Sequence, residues 1–182
     1  MKKLHYLLFS ATLIIGSAAN AQLQIEIAGV GSNQIPVAVA AFADESIAPA
    51  QVSAVIRADL ERSGVFKVID AGQVISDSAS IDASAWKGRG ADALVVGSVQ
   101  RQPDGRLAVR YKLYDTVKGS QLSSLGGEVQ PKYTRLQAHR IADDVYEKLT
   151  GSRGIFSTRI AYVKENRAGR QYALAVADAD GE

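Results

Sequence analysis

Residues Arg140 to Val163 constrain the fold more than any other stretch, because they run from a finished helix through a stop into extended chain. Ala138, Ile141, Ala142, Val145, Tyr146 and Leu149 recur at helical spacing and make one apolar stripe. Lys148 falls in the last turn, and Gly151 stands where helices commonly end in a left-handed conformation. Ser152-Arg153-Gly154 then loosens the chain before Ile155 to Val163 turns extended. A second extended run, Tyr172 to Ala177, follows a polar turn around Lys164 to Arg170. Asp178-Ala179-Asp180-Gly181-Glu182 is a closing turn signal. Two strands alone make a hairpin that is marginal in water, and its edges are unpaired. The pattern predicts one complete domain, then the opening hairpin of a second, cut short and poorly ordered by itself.

Upstream, Ile35 to Phe42 is a continuous run of small and β-branched residues, suited to a central strand covered on both faces. A first helix is expected from around Pro49, with Val52, Val55, Ile56 and Leu60 buried and Ser63-Gly64 ending it. Val65 to Ile69 reads as a short strand, and Ser76 to Ser84 as a surface loop. Trp86 is expected to open a helical turn that closes near Gly88 to Gly90, with its ring packed in a core. Ala93 to Val99 is a second buried strand, and Pro103-Asp104-Gly105 a hairpin turn. Leu107, Val109, Tyr111 and Leu113 alternate with Arg106, Arg110, Lys112 and Tyr114, so one face of that strand is polar. The last strand, Leu122 to Val129, changes apolar phase between Leu122 and Leu125, which predicts a bulge. The expected fold class is α/β, a mixed sheet of about five strands packed with two helices.

The N-terminus carries Lys2 and Lys3, an apolar stretch from Leu7 to Ile15 and Ala19-Asn20-Ala21. That is the grammar of a cleaved secretory signal peptide over residues 1–21, with Gln22 the first mature residue. The apolar run is broken by Ser10, Thr12, Gly16 and Ser17 and is short for a membrane span. No cysteine stands at the cleavage site, which argues against a lipid anchor. Lys2 and Lys3 supply the whole formal charge of +2, so the mature chain is neutral and offers no electrostatic case for nucleic acid, and no later stretch is long and apolar enough to span or insert in a membrane. With no cysteine, stability must come from burial rather than disulfides.

The search for catalytic chemistry finds little. His139 is the single histidine beyond the signal peptide, on the last helix, and reads as a boundary or surface residue rather than a catalyst. Asp143 and Asp144 are consecutive on a helix, point apart and read as solvated charges. Lys87-Gly88-Arg89-Gly90 has no strand before it and reads as a turn, not a phosphate loop. Asp178-x-Asp180-Gly181 lacks the remaining ligands of a calcium loop and reads as a β-turn. No enzyme activity, cofactor or metal is expected. The mature N-terminus alternates Leu23, Ile25 and Ile27 with Gln22, Gln24 and Glu26, ahead of a glycine-containing break. It is either a first sheet strand or a peptide that pairs with an exposed strand edge elsewhere.

Several runs together resemble the TolB family: EKLTGSRGIFSTRIAYV with YALAVADADG, DLERSGVFKVID, GADALVVGSV and DGRLAVRYKLYDT. The resemblance implies a signal peptide (1–21), an N-terminal partner-binding segment (22–34), an α/β domain (35–151) and the start of a β-propeller (155–182). It further implies a non-enzymatic periplasmic scaffold of the Tol–Pal system, serving outer-membrane integrity and invagination at cell division. The segment Gln22, Leu23, Gln24, Ile25, Glu26, Ile27, Ala28, Gly29 and Val30 would bind the C-terminal domain of TolA, with Leu23, Ile25 and Ile27 as anchors. The lipoprotein Pal would bind the propeller, most of which lies beyond this sequence. Two alternatives are a periplasmic regulator of cell-wall synthesis with a similar small domain, and the front of a propeller-containing peptidase.

Overall fold

The computed structural model describes residues 34–166 and 171–182, with the backbone alone described at 166. The expected signal peptide, the segment from Gln22 to Val30 and most of the polar turn before Tyr172 lie outside the described residues.

A five-stranded sheet has the spatial order β2-β1-β3-β4-β5. Strand β1 (Ile35–Ala41) runs parallel to β2 (Phe66–Val74) and β3 (Ala93–Arg101), in register at Val37↔Val68 and Val37↔Ala93. Strands β4 (Leu107–Asp115) and β5 (Ser120–Val129) continue antiparallel. Val37, Ala38, Val39 and Ala40 are all fully buried, which is why β1 reads as an unbroken apolar run.

Helices α1 (Val52–Arg62) and α3 (Thr134–Thr150) pack against one another on one face of the sheet. Their stripes meet Val37, Val39, Val95, Val109, Tyr111 and Leu113 in the main core. The opposite face is covered in part by the short helix α2 (Ala83–Gly88), whose Trp86 packs with Ala38, Ala40, Leu94 and Val96. The predicted pair of helices is thus the pair on one face, and α2 adds a third.

Local departures from the predicted elements have local causes. α1 starts at Val52 rather than near Pro49, because Glu45 folds back and its carboxylate accepts from the Ser53 amide at 2.8 Å and from Ser53 Oγ at 2.6 Å. That contact does the work of an N-cap, since Gln51 offers none. α2 starts three residues before Trp86, where Asp82 accepts from the Ser84 and Ala85 amides. β2 runs past its predicted end because Gly72, at φ 69°, lets the strand kink and pair again at Ala41↔Val74. The phase change in β5 is a bulge: Leu113 faces Ser123 and Tyr114 faces Gln121, leaving Leu122 as the extra residue.

After Gly151, at φ 76° as expected, residues 151–158 lead to a two-stranded antiparallel hairpin, β6 (Arg159–Asn166) and β7 (Gln171–Asp178). Ile160, Val163, Leu174 and Val176 stay exposed on it.

Candidate functional site

The chemistry-bearing side chains gather where the hairpin meets the α/β domain. On α1, Asp59 falls in step with Val55, Ile56 and Leu60, and so sits within the buried stripe. On α3, His139 lies beside Ala138 and Ala142 and faces the same helix–helix seam. The two meet at 2.6 Å, His139 Nδ1 to Asp59 Oδ2, and each side chain is 1% exposed. His139 is therefore a buried residue and not the boundary or surface histidine expected. The correction has a clear cause: a buried carboxylate and a buried imidazole are tolerable only as a hydrogen-bonded pair. Arg62, one turn along α1, reaches back to Asp59 at 3.1 Å.

The turn after β7 closes over this pair. Gly181, at φ 92°, donates its amide to the Asp178 carbonyl, as a β-turn requires. The same turn points Asp180 into the domain, where its side chain is 5% exposed and pairs with Arg135. Asp180 Oδ2 also lies 3.6 Å from His139 Nε2 and 4.0 Å from Arg62, while Asp178 lies 3.9 Å from Nε2 and 3.3 Å from Arg159. Burial pushes the Asp180 carboxyl up, but the Glu182 amide and the charges of Arg135 and His139 outweigh it and hold the group below the ordinary aspartate range. His139 Nε2 and Arg135 Nε are buried without a hydrogen-bond partner.

Asp59, His139 and Asp180 bring potential metal-ligand atoms within 4.8 Å of one another. Two guanidinium groups already neutralise those carboxylates, so the cluster is an ion-pair network rather than a cation site. Nor is it a catalytic dyad: the histidine is sealed from solvent and carries no adjacent nucleophile.

A second set of contacts ties down the linker. The Asp143 carboxylate accepts from the amides of Phe156 at 2.6 Å and Ser157 at 3.1 Å. Gly154 passes so close that a Cβ there would lie 2.5 Å from Asp143 Cα. Asp144 accepts from Ser123 Oγ at 2.7 Å and from the Tyr111 hydroxyl. Burial and that carboxylate push the Tyr111 phenol up. Neither aspartate is the solvated charge expected; consecutive on the helix, they serve two different neighbours. Phe156 stacks edge-on against Tyr146, which does the same to Phe66. Between linker and hairpin lies a groove of about 550 Å³, lined by Arg62, Tyr146, Gly154, Phe156, Ile160 and Ala179 among others.

Sequence reasoning missed the Asp59–His139–Asp180 cluster, yet a signal was present. An acid at a stripe position of one helix and a histidine beside the stripe of another ask for each other. Lys87 and Gly88 are the last residues of α2 and Arg89-Gly90 the turn that follows it, with the Arg89 guanidinium 4.2 Å over the Trp86 ring.

Residues 23–122 match the model of the TolB amino-terminal domain. The chain is 47% identical over 176 residues to the Tol-Pal system protein TolB of Polaromonas naphthalenivorans (strain CJ2), covering 96% of this chain and 41% of that protein. It is 48% identical over 171 residues to the Tol-Pal system protein TolB of Dechloromonas aromatica (strain RCB), covering 93% and 40%. The crystal structure of TolB from Acinetobacter baumannii superposes with a TM-score of 0.67 at 33% identity, over 82% of this chain and 37% of that one. The chain thus spans about two fifths of the length of the curated relatives it matches.

Proposed function

The chain belongs to the TolB family, and on that footing we propose that it works as a non-enzymatic protein of the Tol-Pal system, binding protein partners rather than converting a substrate. The observation that carries this reading is 47% identity to a Tol-Pal system protein across 96% of the chain. The buried, ion-paired state of His139 supports it, because the one imidazole among the described residues has no access to a substrate. Family membership takes precedence over the alternatives of a cell-wall-synthesis regulator and the front of a peptidase.

In this reading residues 1–21 direct export to the periplasm and are removed. The mature N-terminus, Gln22 to Val30, binds the C-terminal domain of TolA by adding a strand to an exposed sheet edge, with Leu23, Ile25 and Ile27 seated in side-chain pockets. Strands β6 and β7 open a β-propeller, and Pal binds that propeller. Their exposed apolar residues, Ile160, Val163, Leu174 and Val176, suit a sheet that expects cover. The two contacts together would serve outer-membrane integrity and invagination during division.

Calorimetric titration of the chain from Gln22 to Glu182 with the TolA C-terminal domain tests the proposal, beside a copy lacking Gln22 to Val30. Binding by the first and none by the second is the expected result. Equal binding by both would move the contact elsewhere, and binding by neither would sink it.

A further inference from the structure

Two anchors hold the hairpin to the α/β domain, and they differ in kind. The first is the linker clamp, where Asp143 takes two backbone amides and Gly154 packs against its backbone. Both amides are paired, and Phe156 is stacked on Tyr146, so this anchor is complete. The second is the Asp178–Gly181 turn in its seat. Here complementarity is unfinished: Asp180 pairs with Arg135, yet His139 Nε2 stands 3.6 Å away and Arg135 Nε finds no acceptor. A buried polar atom left unpaired favours the state in which water can reach it. The seated turn is therefore closer in free energy to its withdrawn form than a fully paired contact would be.

The groove lies between these anchors. Residues of both anchors line it: Phe156 and Gly154 of the clamp, Ala179 of the turn and Arg62 of the seat. Withdrawing Asp180 while Asp143 holds would swing the hairpin about the linker and widen the groove.

We propose that Arg135, His139 and Arg62 form a carboxylate socket on the α/β domain, with Asp59 holding the imidazole and Arg62 in place, and that Asp180 is its reversible plug. The turn is a latch, the Asp143 clamp is the hinge, and the latch sets how wide the groove stands. Nothing in the family match assigns such a role to these residues.

The chain has no cysteine, so a spin-label pair can be placed cleanly by Glu61→Cys on α1 and Leu174→Cys on β7, both exposed positions. Pulsed electron resonance on the chain from Gln22 to Glu182 should give one narrow distance for the labelled parent. Asp180→Asn, and independently Arg135→Gln from the socket side, should broaden it toward longer distances. Asp104→Asn, which breaks a surface pair with Arg106, should leave it unchanged. Hydrogen exchange separates the latch from general unfolding. In Asp180→Asn the Asp178 and Gly181 amides should exchange at least tenfold faster, while the Phe156 and Ser157 amides and those of β3 and β4 keep their protection. An unchanged distance in both variants would overturn the proposal. So would a loss of protection shared by the turn and the sheet, since Asp180 would then be part of the domain's own stability.

Discussion

At the scale of single residues, the most consequential contact is the buried Asp59–His139 pair. A carboxylate 1% exposed cannot stay charged without a partner, and the imidazole supplies the inner one while Arg62 supplies an outer one. His139→Leu would keep the volume roughly and remove the inner partner, leaving Asp59 to a guanidinium whose own side chain is 46% exposed. The expected loss is about 3 kcal/mol, the lower end for breaking a buried pair. Urea unfolding followed by Trp86 fluorescence measures it, and a loss below about 1 kcal/mol would show that the pair is incidental to stability. The helical stripe was legible in the sequence, but this pairing was not. Periodicity places a residue on a face, whereas partnership depends on how α1 and α3 cross, and residues 59 and 139 lie 80 positions apart.

At the scale of elements, α2 shows how little local propensity decides. It has six residues, too few to persist alone, and is held by the Asp82 cap at its start and by Trp86 in the second core. Trp86 is 6% exposed and is the largest side chain of a cluster that includes Ala38, Ala40, Ala91, Leu94 and Val96, so truncating it leaves a cavity there. Trp86→Ala should destabilise the chain by about 3–5 kcal/mol, with loss of α2 but retention of the five-stranded sheet. Chemical-shift mapping would check that division: an intact helix at Ala83–Gly88 in the variant would contradict it. β2 and β5 teach a related lesson. The bulge at Leu122 was visible as a break in alternation, because side-chain period is a property of the sequence itself. The extension of β2 past Gly72 was not, because it depends on Ala41 offering Val74 a partner across the sheet.

At the scale of the molecule, the question is how hairpin and domain are joined, and at the Asp178–Gly181 turn the joint is one of charge. Asp180 faces Arg135 and His139 from α3 and Arg62 and Asp59 from α1, with Asp178 and Arg159 alongside. Its carboxyl is held below the ordinary value of 3.8 in the seated state, whereas a withdrawn turn returns it to that value. The seated state is therefore favoured in full above about pH 4, and that preference is lost as pH falls through the lowered value. Distances between labels at positions 61 and 174 should stay narrow at pH 6 and broaden in acid, with Asp180→Asn broad at both. A parent distribution that stays narrow well below the ordinary aspartate range would show that the Asp180 charge does not hold the turn.

What this sequence determined by itself were features that depend on neighbours in the chain. The buried run of β1, the stripe of α3, its stop at Gly151, the turn at Pro103–Gly105 and the turn at Asp178–Gly181 each follow from side-chain period or from a residue's permitted φ, and each is found in place. The family, too, was readable, through the resemblance of several runs of the chain to it. Only the tertiary structure decided which charges are paired inside the fold and which are merely solvated. Asp59, Asp143, Asp144 and Asp180 look alike in a string of letters, and become an inner partner, a linker clamp, a sheet-to-helix tie and a plug when folding sets them against different donors. The physical reason is the range of the interactions: backbone preferences act within a few residues, while desolvation of a charge is set by whatever the whole chain brings around it.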